Sequence, residues 1–353
     1  MSDDRVPAWP HKVLISYFFG ADTIPLGESV ARAFSEAGSQ VVPFDCRVEH
    51  PLQPLYKRIS RLLRPLLGRS FDLSRCFGHD NQSVRDRTLV ALALRERPDL
   101  LLAMRGNPLS QQCLNQIKTN TGCQTAAWCL YGPEVCDSAL KPDQGLYDHI
   151  FSVYRSDLPG VHVLPILARD SQLYGPNGPR EPFDHDVAFV GRRSDRRVDV
   201  LSRLRGLPIS IWGPGWRSFA RGVPLWMLWH WRGNQVWQKD LVRVYRRSKI
   251  VLNVSVWDPV KESGLNMRVI DVPTCGGFLL TDHSDELAEY MSPGKEIETW
   301  RCVDELKDKI DFYLRNDSAR ERIAEAGRIR AAAGPTFQDR IRQLCHTIAM
   351  ERA

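Results

Sequence analysis

Residues Lys12 to Phe44, KVLISYFFGADTIPLGESVARAFSEAGSQVVPF, decide the architecture. An apolar run from Lys12 to Phe19 ends at Gly20, apolar residues recur at helical spacing from Leu26 to Ala37 before a stop at Gly38, and Val41 to Phe44 is apolar again. The pattern predicts strand, helix, strand. It continues with a helix over 83–97, a buried strand over 100–104, a helix over 109–119 and strands over 124–130, 150–153 and 161–164. Gly175-Pro-Asn-Gly-Pro-Arg-Glu-Pro then breaks the chain as a linker would. Beyond it the alternation restarts, with strands over 186–190, 209–212, 250–254 and 278–281. Helices are expected over 198–204, 241–247, 265–274, 285–291, 303–314, 318–333 and 337–351. Strands alternating with helices of this length imply α/β architecture, with two doubly wound Rossmann-like domains of parallel sheet facing a cleft.

Composition agrees with two globular domains: 353 residues, 43% hydrophobic and 25% charged, which excludes a disordered or fibrous chain. The net charge of +6 is unevenly spread. Between Arg192 and Lys249 there are 14 basic and 3 acidic residues, a local +11 that leaves the rest at −5, and the same stretch holds six of the ten tryptophans. Such a field suits an anionic ligand, a membrane surface or nucleic acid. The start, MSDDRVPAWPHK, carries two acids and a proline before the first apolar run and lacks a signal-peptide pattern, so a cytoplasmic protein is expected. Apolar runs such as Val223 to Trp229 are far short of the roughly 20 residues that span a bilayer. Nine cysteines without a C-x-x-C pair read as reduced thiols, with neither a disulfide framework nor a zinc site.

Glycine directly after a strand lets the backbone approach a ligand, and the following helix aims free N–H groups at it. Gly191 with Arg192 and Arg193 fits that design, as does Gly213-Pro-Gly215. Neither G-x-G-x-x-G nor a P-loop pattern occurs. The strongest local unit runs from Glu262 to Thr281, ESGLNMRVIDVPTCGGFLLT. Asn266 and Arg268 open its helix, where a diphosphate would meet a guanidinium fork. Asp271, three residues on, shares a helix face with Arg268 and suits ribose hydroxyls; the plainer alternative is a surface Arg–Asp pair.

The sequence resembles the CgeB-type glycosyltransferases, a GT-B family. The match runs in order through Asp186-Val-Ala-Phe-Val-Gly-Arg, Ile211-Trp-Gly-Pro-Gly-Trp, Tyr245 to Asn253, Asn266 to Thr281 and Gly294-Lys-Glu-Ile. Weaker matches fall on Arg97 to Leu102, Trp128 to Pro133 and Tyr147 to Phe151. The resemblance implies an acceptor-binding domain over 1–174, a nucleotide-sugar-binding domain over 182–336 and a final helix, 337–353, returning to the first domain. It implies donor contacts at Gly191, Arg192, Arg193, Arg196, Gly213, Gly215, Asn253, Asn266, Arg268, Asp271, Gly276 and Gly277. The family's N-x-R-x-x-E run falls on Asn266, Arg268 and Asp271, with Asp replacing the usual Glu. Where the related E-x7-E signature spaces its acids eight apart, Glu262 and Asp271 are nine apart, and where the family shows Asp after its N-terminal Trp motif this chain has Tyr131-Gly132.

Transfer from a nucleoside diphosphate sugar needs the leaving diphosphate neutralised. Arg192, Arg193, Arg196 and Arg268 are the candidates. The resemblance implies that side chains and helix ends do this in place of a metal, so no metal and no cofactor beyond the donor are expected. Asp22, Glu134 and His283 are candidate proton acceptors for the acceptor hydroxyl. The expected acceptor is a glycan, a lipid-linked group or a small molecule. The segment Arg217 to Lys239 interleaves arginine with tryptophan. It is expected to reach a large acceptor or the inner face of a membrane, the alternative being that Trp226, Trp229 and Trp231 pack beneath a lid. A second basic stretch, Lys57 to Arg69, is amphipathic. Rival readings are a nucleotide-sugar epimerase or hydrolase of the same fold, and a nucleic-acid-binding protein; the latter is disfavoured because the arginines follow strand-end glycines.

Overall fold

A computed structural model describes residues 9–104, 109–132, 136–175, 181–217, 222–258 and 264–351. Twelve strands form two six-stranded sheets. In the first, β1 (Lys12–Tyr17), β2 (Gln40–Asp45), β3 (Leu100–Met104), β4 (Gln124–Cys129), β5 (His149–Ser152) and β6 (Val161–Val163) lie in the order β2-β1-β3-β4-β5-β6. In the second, β7 (His185–Val190), β8 (Ile209–Trp212), β9 (Trp231–Gly233), β10 (Ser248–Asn253), β11 (Leu279–Asp282) and β12 (Glu298–Trp300) lie in the order β12-β11-β10-β7-β8-β9. Every named pair is parallel, with Ile15 opposite Leu102 in one sheet and Val251 opposite Leu279 in the other.

Parallel strands covered on both faces must be apolar at every position, and alternate residues of β1 and β3 serve two cores. Val13, Ile15, Leu100 and Leu102 pack on one face, Leu14, Leu101 and Ala103 on the other. The second sheet repeats this, with Val187 and Phe189 on one face and Ala188 and Val190 on the other. The helix Phe337–Met350 begins with a capping box at Thr336 and Asp339 and sinks Phe337, Ile341, Leu344 and Ile348 into the core of the first domain beside Val30 and Phe34.

Several short elements have no counterpart in the sequence reading, among them the edge strands β9 and β12, each three residues long, and the helices Leu73–Cys76, Cys136–Leu140, Ser171–Tyr174 and Leu225–His230. Within that Trp-rich segment, Trp226 packs on the second-domain core, Trp231 donates its indole N–H to the Gly213 carbonyl at 3.1 Å beneath the Arg217 guanidinium, and Trp229 is 81% exposed. So this stretch props a sheet edge with part of its aromatics, and the three tryptophans do not act together. Most of the expected linker, and Glu134 and Glu262, lie outside the described residues. All nine cysteines are unpaired, seven of them buried. Among the described residues no helix is long and apolar enough to cross a membrane.

Candidate functional site

In the second sheet the chain runs outward from β7 through β8 to β9, then returns to place β10 on the other side of β7. The loops after β7 and β10 therefore diverge and open a crevice at the carboxyl ends of the strands. Arg268 spans that point: its Nη2 donates to the Val190 carbonyl at the end of β7 at 2.5 Å, and its Nη1 lies 3.5 Å from Asn253 Oδ1 at the end of β10. Asn266 holds the approach, its Oδ1 accepting the Arg268 N–H at 3.1 Å and its Nδ2 donating to Asn253 Oδ1 at 3.2 Å. This side-chain turn is why the helix begins at Arg268 instead of 265.

Beneath lies one buried carboxylate, Asp282, which accepts from Arg196 Nη1 and from the Ser255 N–H, both at 2.8 Å, and from the Ser255 and Thr281 hydroxyls at 3.2 and 3.1 Å. Arg196 also donates to the Ser255 carbonyl. Arg197, 5% exposed, ties the two diverging loops together by donating to the Val254 and Arg192 carbonyls at 2.8 and 2.9 Å. Burial pulls its pKa down to about 9, the neighbouring charges of Arg268, Arg192 and Arg196 push the same way, and Asp282 opposes them. The crevice thus holds more positive charge than its own carboxylate balances.

Asp271 stands one turn into the helix and is buried. Its carboxyl is raised well above the usual range by desolvation; Arg268 opposes the shift and Asp170 adds to it. The Tyr174 hydroxyl donates to it. Tyr174 is placed from the first domain: Asp170 caps its short helix and is itself held by Ser29 Oγ at 2.6 Å and Arg32 Nη1 at 2.9 Å. Arg268 also donates to the buried Tyr245 hydroxyl.

Between the domains is a cavity of about 410 Å³ that Tyr17, Leu130 and Tyr154 line from the first domain and Trp257, Arg268 and Asp271 from the second. Tyr154 bridges the two by donating to the Leu265 carbonyl at 3.3 Å, and Gln238 Nε2 reaches the Gly20 carbonyl at 3.4 Å. A cavity of similar size, about 380 Å³, lies by Trp9, Arg97 and Gln124, at the amino ends of the first sheet, away from this charge.

Of the residues singled out by sequence, Asn253, Asn266, Arg268 and Asp271 come together with Arg196. Arg193 pairs with Asp195, and Arg192 is exposed beside them. The glycines have packing duties: a Cβ on Gly213, whose φ is +136°, would sit 2.1 Å from the Gly191 carbonyl oxygen, and one on Gly215 would meet the Arg193 side chain. Gly276 and Gly277 close the far end of the Arg268–Thr274 helix, roughly 12 Å from its start. Asp22 is exposed at the cleft rim, where hydrogen bonding and attraction to Arg47 hold its carboxyl below the usual range, a poor setting for a base. His283 lies beyond Asp282, bounded by Arg301 and Asp285, and does not line the interdomain cavity. Sequence reasoning missed Arg197, Tyr174, Tyr245, Ser255 and Asp282. Asp282 carried a readable signal, an acid following the apolar strand Phe278–Thr281. Among the described residues no group of three or more His, Cys, Asp or Glu is placed to hold a metal ion.

Residues 192–346 match the family model described as glycosyl transferase-like. No curated protein sequence matches the chain. Among solved structures, the sucrose-phosphate synthase of Thermosynechococcus elongatus is 12% identical and superposes with a TM-score of 0.66 over 97% of this chain and 100% of that one. HepE of Anabaena in complex with UDP-glucose gives 11% identity and 0.61 over 96% and 99%. A glycosyltransferase from Rickettsia africae ESF-5 gives 13% and 0.61 over 97% and 98%. The two parallel sheets and their helices are the GT-B arrangement.

Proposed function

We propose, taking the chain as a glycosyltransferase of the GT-B fold, that it moves a sugar from a nucleoside diphosphate sugar to an acceptor hydroxyl across the interdomain cavity. The observation that carries this is the excess positive charge of Arg192, Arg196, Arg197 and Arg268 around the buried carboxylate of Asp282, with the Asp271 carboxyl pushed by burial toward its neutral form. In the reaction the acceptor oxygen bonds to the anomeric carbon, the bond from that carbon to the diphosphate oxygen breaks, and the electron pair stays on the diphosphate. Arg268 and Arg192 receive that charge, so the reaction proceeds without a resident metal. Asp271, at the cavity wall with Tyr174 behind it, takes the ribose hydroxyls.

The acceptor proton goes to a base on the first-domain side, and Glu134, four residues past cavity-lining Leu130, is our assignment. The acceptor is a glycan or lipid-linked hydroxyl met by the domain 1–174, while 182–336 holds the donor and 337–353 returns to the first domain. The five ordered motifs support a place near the CgeB-type enzymes, acting in the cytoplasm where nucleotide sugars are made. Incubation with UDP-, GDP- and dTDP-sugars, followed by product analysis, tests the reading. Release of one nucleoside diphosphate, increased by added glycan acceptor, is expected; an epimerised sugar with the diphosphate still attached would contradict transfer.

A further inference from the structure

The helix Gln53–Leu67 has a surface that neither the fold nor the crevice uses. Its inner face buries Gln53, Tyr56 and Ser60. Leu55, Leu62 and Leu66 recur at spacings of seven and four, so they form one stripe along its side, 50%, 70% and 81% exposed. Arg58 borders that stripe and Arg61 stands beyond Arg58, whereas Lys57 and Arg64 fall on the opposite side of the helix; the helix contains no acidic residue. A run of exposed leucines this long marks a surface that something covers.

We propose that this helix lies in the interface of an anionic phospholipid bilayer, with the leucine stripe in the acyl boundary and the cations among the headgroups. The charge selects this occupant. A second copy of the chain would bring Arg58 and Arg61 against their own like charges, and a nucleic acid would leave the leucines in water. A neutral bilayer would take the leucines and make no use of the arginines. The cleft of about 430 Å³ lined by Lys57, Arg64 and Arg75 together with the inner-face residues Gln53 and Ser60 opens on the other side of the helix and is not part of this surface. The helix follows β2, so it starts from the carboxyl end of the first sheet, the end that faces the cavity. The inference does not depend on the donor reading.

Pelleting of the full chain with vesicles of phosphatidylcholine, and of phosphatidylcholine mixed with phosphatidylglycerol, tests it. Binding to the mixed vesicles alone is expected, with release by salt. Arg58→Glu with Arg61→Glu should weaken it about tenfold or more. Leu62→Ser with Leu66→Ser should weaken it while leaving the salt dependence in place. All four side chains are exposed, so an unchanged unfolding midpoint confirms that the variants are folded. Equal pelleting with both vesicle types, none with either, or wild-type binding by the variants overturns the proposal. It is also overturned if a DNA duplex binds while the leucine variant keeps its full vesicle affinity, or if the wild type self-associates through Leu66 without binding vesicles.

Discussion

Asp271 is a carboxyl that folding makes weaker as an acid, and this has a consequence of definite sign. Its folded pKa lies well above its unfolded value near 3.8 because burial disfavours the charged form. The folded state therefore binds more protons than the unfolded one above that pH, and stability falls as pH rises from about 4 through the folded pKa. Asp143, buried by the first sheet and pushed up to about 6, acts in the same direction over pH 4 to 6. Asp271→Asn removes the titrating proton and keeps the shape. Chemical denaturation at pH 7 should find the variant as stable as the wild type or more so, while its affinity for the nucleoside diphosphate drops about tenfold through a weakened hydrogen bond to ribose. Asn266, Arg268 and Asp271 were legible because three polar residues at helix-start spacing interrupt an apolar run. Tyr174 and Arg32 were not, since their relation to Asp271 passes through Asp170 and exists only once the domains meet.

At the scale of elements, the loops after β7 and β8 touch backbone to backbone. Gly213 carries φ +136° with the Gly191 carbonyl where its Cβ would stand, and the Trp216 indole donates to the same carbonyl at 2.8 Å. Gly213→Ala combines a left-handed backbone with a clash, so thermal unfolding should show a loss of about 2 kcal/mol or more together with weaker donor binding. At Gly213 the missing Cβ leaves room for the chain's own Gly191 carbonyl, a packing requirement that by itself accounts for this glycine. Central strands were readable to within a residue or two because burial on both faces leaves uninterrupted apolar runs. The edge strands β9 and β12 were not, for Trp231–Gly233 and Glu298–Trp300 are too short to show any period. The helix Gln53–Leu67 was visible only as a basic amphipathic stretch, because four of its five leucines face solvent.

On the scale of the whole molecule, the last helix is part of the first domain. Phe337, Ile341, Leu344 and Ile348 contribute about 1.5–3 kcal/mol each on burial, which approaches the whole stability of a domain, about 5–15 kcal/mol. Its end is fastened by Glu351, which accepts from His162 at 2.7 Å and contacts His149. Partial burial raises the Glu351 pKa, but the two histidines more than offset this and hold it below the usual range. A chain ending at residue 336 should therefore lose cooperative unfolding of the first domain, visible as a missing transition in calorimetry, while retention of a wild-type profile would contradict this role. The two-domain plan was legible from alternation alone, whereas the return of the last helix depends on contacts some 300 residues apart, such as Gln338 to Glu36.

The proposed transfer requires the crevice at the β7–β10 switch point to bind a nucleoside diphosphate through Arg268. Titration calorimetry of the full chain with UDP, GDP and dTDP, repeated on Arg268→Ala, tests it most directly. One nucleotide should bind the wild type, and the variant should bind it about thirtyfold or more weakly, in keeping with about 2 kcal/mol or more for a guanidinium–phosphate contact in a partly buried site. Binding of none of the three, or equal affinity in the variant, would contradict the account.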